Sequence, residues 1–154
     1  MFKILIPAVA CVALVAVSAR TQTPDAASAG PAMAWRLAYE GPMAKLTYGA
    51  ANSDQLAVMI TCEPGQGDAV VYGEAHPDSP RLLQASAGPV AVDPLTGGAA
   101  YETRISLDDP SLTALASQGA LRLVGDAGPV VLAADRADRR LVSDMLAYCG
   151  SSRA

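Results

Sequence analysis

Two cysteines far apart in the chain, Cys62 and Cys149, constrain the fold more than any other feature, because each lies on an apolar face. Leu56, Val58, Ile60 and Cys62 alternate with other residues, so a strand would carry all four on one side. Leu141, Val142, Met145, Leu146 and Cys149 recur at helical spacing and form one stripe of a helix. A bond between the two thiols would staple a C-terminal helix to a sheet strand. In the chain-entropy account such a long closed loop stabilises by about 4 kcal/mol, less any strain.

Such a bridge requires an oxidising compartment, and the N-terminus provides a route to one. Met1 to Ala19 places Lys3 before an apolar run and ends on Val17-Ser18-Ala19, the pattern of a secretory signal cleaved after Ala19. A spanning helix needs about 20 apolar residues, and this run is interrupted by Lys3 and Pro7. An uncleaved membrane anchor is thus a weaker alternative, and lipidation at Cys11 is a second. Lipidation is weaker too, because the apolar run continues through Val12-Ala13-Leu14-Val15, where a lipoprotein would turn polar. Residues 20–33 are rich in Ala, Ser, Thr, Pro and Gly and read as a flexible leader. One domain is expected over 34–150, with a short tail at 151–154. The alanine-rich composition points to a bacterial periplasm or secretion, with no membrane contact once the signal is cleaved.

From Ala34 onward, short apolar runs separated by Gly and Pro turns predict a mainly β fold: a small antiparallel sandwich or partly open barrel. Candidate strands cover 34–39, 43–49, 55–62, 68–74, 80–86, 89–93, 99–107, 120–125 and 129–133. Tyr101, Thr103, Ile105 and Leu107 alternate with Glu102, Arg104 and Ser106, as in a sheet with one wet face. Three Gly-Pro turns (41–42, 88–89 and 128–129) follow Arg-Leu pairs at unequal spacing, so they read as repeated turn chemistry rather than an internal duplication. Asp109-Pro110 opens a short helix that ends at Gly119, with Leu112, Leu115 and Ala116 on its apolar side. Asp135 opens the C-terminal helix, Asp138 suits its first turn, and Gly150 is placed as the C′ residue.

Removing residues 1–19 removes Lys3 and no acid, which takes the net charge from −4 to −5. A mildly acidic chain with no basic stripe is a poor ligand for nucleic acid, whose sequence-independent affinity comes from Lys and Arg on phosphates. His76 is the only histidine and sits in a turn-like segment, which leaves the usual zinc ligand sets unfilled. No G-x-S-x-G elbow or phosphate loop is present, and no cofactor is expected. Trp35, Tyr39 and Tyr48 form an aromatic group that suits either a core or a binding surface. Asp54 and Glu63 sit in the polar runs 49–54 and 63–68, which would form one acidic rim if they met at the same end of the sheet.

The leading expectation is therefore a non-catalytic envelope module that binds a protein, a polymer or a small ligand. The alternatives are a periplasmic hydrolase using carboxylates such as Asp54, Glu63 or Asp68, and a small β-barrel inhibitor or chaperone. Intact mass of the protein from its native envelope tests the export reading. The expected mass begins at Arg20 with both thiols blocked until reduction; a lipid-bearing mass beginning at Cys11 would contradict it.

Overall fold

The computed structural model describes residues 32–53, 55–82, 84–85, 91–92 and 99–151. The expected leader and signal, Asp54 and much of the 86–98 region lie outside the described residues. Among the described residues the fold is mainly β, with two antiparallel sheets and two helices. In the larger sheet the spatial order is β1 (Met33–Glu40), β2 (Met43–Ala50), β3 (Leu56–Cys62), β4 (Asp68–Gly73), then β8 (Ala99–Ser106) and β6 (Gln84–Ala85). The short β7 (Ala91–Val92) also pairs with β8. The smaller sheet runs β10 (Gly128–Ala133), β9 (Ala120–Gly125), β5 (Ala75–Pro77).

Period-two alternation sets the inner face of the large sheet. Leu46, Ile60, Val71 and Thr103 follow one another across four strands through the observed register, and all are buried. Helix α1 (Pro110–Gln118) packs on β9, and helix α2 (Arg136–Cys149) lies over β1 and β2. Val142, Met145 and Cys149 of α2 are buried, and the Cys62–Cys149 disulfide joins the end of the helix to the end of β3. The carbonyl of Cys149 accepts from the Gly65 amide, a second tie between the helix end and the β3–β4 turn.

Several local expectations are corrected. His76 does not lie in a turn: it sits in β5, opposite Val124. The predicted strand 68–74 breaks at Glu74 because the chain turns there from one sheet into the other. Residues 80–82 of the predicted 80–86 strand are irregular, and its described strand residues are Gln84–Ala85. Gly119 ends α1 in the left-handed conformation at φ 74°, where a Cβ would fall 2.2 Å from the Ala134 carbonyl oxygen. Gly150, by contrast, is right-handed at φ −73°, and the last turn continues to Ser151, whose amide donates to Tyr148.

Two of the edge strands, β1 and β10, differ, and turn geometry shows how. Gly41 at φ 61° followed by Pro42 makes a two-residue turn closed by the Glu40–Met43 pair. Alternation from that pair points the amides and carbonyls of Tyr39, Leu37, Trp35 and Met33 away from β2. The Ala50 amide, opposite Met33, accordingly turns toward β3 and donates to Gln55. On β10 the outward positions are Pro129, Val131 and Ala133, because Pro129 has no N–H to give β9 and Ala134 donates inward to Gly119. The Trp35 indole N–H donates to the Ala133 carbonyl at 2.9 Å. Proline at one end and an indole at the other leave Val131 as the accessible ladder residue of that edge.

Among the described residues Asp109 is the buried acid. Its carboxylate accepts from the Ser111 amide at 2.8 Å and the Ser79 hydroxyl at 2.6 Å, joining the start of α1 to the loop after β5. Burial alone would raise its pKa; the Ser111 and Ser79 hydroxyls, the Ser111 amide and nearby Arg81 outweigh burial and hold it below the ordinary value. The stabilisation is therefore present above the unfolded-state pKa and lost as pH falls through the lower folded value. Asp109→Ala should cost about 2 kcal/mol at neutral pH, since the cap is lost and two hydroxyls lose their acceptor. In urea titrations the gap between the two proteins should narrow below about pH 4; a gap constant across pH would contradict this assignment.

Candidate functional site

The aromatic residues fall into two separate groups. Trp35 and Tyr48 stand opposite each other on β1 and β2, with ring centroids 5.0 Å apart. Trp35 is buried, and its indole N–H is taken by Ala133, so its hydrogen-bonding capacity serves the fold. Tyr39 is four residues along the same face of β1, about 13 Å away at strand rise. It is 51% exposed and meets Tyr148 of α2 edge-on, with centroids 4.9 Å apart. Tyr148 donates its hydroxyl to the Pro42 carbonyl, which ties the helix end to the β1–β2 turn.

The two polar runs lie at opposite ends of the sheet. Residues 51–53 belong to the connection from β2 to β3, and residues 63–67 to the connection from β3 to β4, so strand β3 separates them. The single acidic rim does not form, and Asp54 lies outside the described residues. Glu63 is the candidate that reaches a concave surface. A cleft of about 140 Å³ is lined by Met43, Thr61, Cys62, Glu63, Gln66, Asp68 and Val70.

The elements explain this grouping. Met43 opens β2, Thr61 nearly closes β3, and Val70 sits opposite Thr61 on β4. All three point to the face opposite the buried Ala44, Ile60 and Val71. They form an apolar and hydroxyl-bearing floor beside two carboxylates. Glu63 accepts from the Gln66 side-chain amide at 2.8 Å, and Asp68 pairs with Arg104 at 3.1 Å. The cleft is smaller than the roughly 300 Å³ at which small-molecule pockets begin. It has room for one side chain or one functional group.

Two other places bring polar side chains together. The Tyr101 hydroxyl donates to Asp126 at 2.7 Å, and the Tyr101 ring meets the His76 ring edge-on at 5.7 Å. The Asp126 hydrogen bond raises the Tyr101 pKa, with desolvation and the Asp126 charge acting in the same direction. This group latches β8 of one sheet to the β9–β10 turn of the other. The second place is a shallow depression along Asp135, Arg136, Ala137 and Arg140. There Asp135 already accepts from the Ala137 and Asp138 amides, and Asp138 accepts from the Asp135 amide in a capping box.

Among the described residues no group of three or more His, Cys, Asp or Glu side chains is arranged to hold a metal ion. No helix among them is long and apolar enough to cross a membrane. No protein-family model matches this chain, and neither a curated protein nor a solved structure is matched by it.

Proposed function

We propose that the chain is an exported, non-catalytic binding or accessory module of the cell envelope, and that Glu63 marks its ligand-contacting surface. The observation that carries this reading is the cleft beside the disulfide, with Met43, Thr61 and Val70 as floor and Glu63 and Asp68 as wall. An apolar floor with an acidic wall suits a cationic group on an apolar stem, such as a lysine side chain or another primary amine. The net charge of −5 after signal cleavage favours the same sign of partner. Export is supported by the Cys62–Cys149 bond, since disulfides persist in oxidising compartments.

A hydrolase would use the two carboxylates that share this cleft. Each, however, is held by a partner of its own, Glu63 by Gln66 and Asp68 by Arg104, and such holding suits a fixed recognition surface better than proton transfer.

The test is a nitrogen-15 amide titration of the mature, oxidised protein with N-acetyl-lysine methylamide and with its glutamate counterpart. The lysine probe should shift the Thr61, Glu63 and Val70 amides, and Glu63→Gln should weaken its binding about fivefold, the scale of one exposed charge pair. Equal response to the acidic probe, or no response at these amides, would contradict the reading.

A further inference from the structure

The free edge of β1 carries an inference independent of the cleft. The β10 edge is blunted by Pro129 and by the Trp35 indole. The β1 edge has neither device. The amides and carbonyls of Met33, Trp35, Leu37 and Tyr39 point outward, and none has a hydrogen-bond partner among the described residues. Natural edges are kept unpaired by lysine, proline, bulges or a covering element. β1 contains no lysine and no proline, and its ladder with β2 runs unbroken from Met33 to Glu40. Such an edge is a template for a further strand.

We propose that the strand it takes is β1 of a second copy of this chain, added antiparallel about a two-fold axis at Ala38. The charge pattern selects both partner and register. A two-fold axis perpendicular to the sheet keeps faces in common, so residues that meet must sum to an even number. Centred on Arg36, the pairing would set Arg36 against its own copy, which is repulsive. Centred on Leu37, it sets both charged residues of the strand against alanines. Centred on Ala38, it sets Arg36 opposite Glu40 of the second copy, twice, with Leu37 opposite Tyr39 in the same way.

Local geometry agrees with that register. Leu37 and Tyr39 are both outward-pointing residues, so the pairing makes about four inter-strand hydrogen bonds. Ala38 meets Ala38 at a non-hydrogen-bonded position, where side chains come closest and a methyl group fits. Ala38, Tyr39 and Glu40 are all exposed in the single chain. Arg36 spends one N–H on the Gly49 carbonyl at 2.9 Å and has others to offer; Glu40 uses Oε1 for Lys45 and has a second oxygen. Helix α2 covers β1 and β2, so the two copies of α2 would lie about 10 Å apart across the axis, a helix-packing distance rather than a clash.

Sedimentation of the mature, oxidised protein tests this, with charge exchange as the specific control. The wild type should form a dimer at about 100 μM and dissociate on dilution. Glu40→Arg would place four arginines around the axis and should weaken the dimer about tenfold. The double exchange R36E/E40R restores opposite charges and should restore the dimer. Amide exchange of the wild type reports independently of any variant: Leu37 and Tyr39 should become more protected as concentration rises. A wild type that stays monomeric at that concentration would overturn the proposal. So would a dimer that ignores Glu40→Arg, or one whose Leu37 and Tyr39 amides exchange at the same rate at every concentration.

Discussion

The Cys62–Cys149 bond sets what the large sheet can present to solvent. It holds the last turn of α2 against the end of β3, and from there the helix runs back over β1 and β2. A helix anchored in this way covers the inner face of β1 and β2. The smaller sheet and α1 complete the covering layer, with Leu121, Leu123, Leu112 and Leu115 buried in the common core. The inner face of the large sheet is thus used up by packing. What remains for recognition is its outer face, its turns and its edges.

Much of this was legible in the residues themselves. Tyr101 to Ser106 alternates over a full strand, and that alternation is long enough to survive any uncertainty at the ends. Asp109-Pro110 and Asp135 are chemical start signals for helices, and both act as caps. The disulfide followed from two thiols that each shared a face with buried apolar residues. β5 was not legible. Three residues are too few to display a period, and Pro77 reads as a turn until Leu123 is known to lie beside it. The Arg81-Leu82 segment failed in the opposite way, since an Arg-Leu pair like those at 36–37 and 122–123 suggested a strand where the chain turns instead.

The candidate site was only partly visible for a related reason. Glu63 stood out as an acid in a glycine-rich turn, but its neighbours in the cleft come from three strands. Met43, Thr61 and Val70 are brought together by register, and a single sequence does not display register. The division of the aromatic residues has the same origin. Trp35 and Tyr39 share a face of one strand, yet helix α2 and β10 bury the first and leave the second at a rim. The contrast between the blunted edge on β10 and the bare one on β1 also depends on which strands end each sheet.

The stapled helix is an integral layer of the core. Native-state hydrogen exchange of α2, with the disulfide intact and after reduction, tests this most directly. With the bond intact, the Val142 and Met145 amides should exchange as slowly as those of Ile60 and Val71, through global unfolding. After reduction the α2 amides should exchange by a local opening while the central strands stay protected. If α2 exchanges faster than the strands while the bond is intact, or if reduction leaves its exchange unchanged, the helix is not held as described.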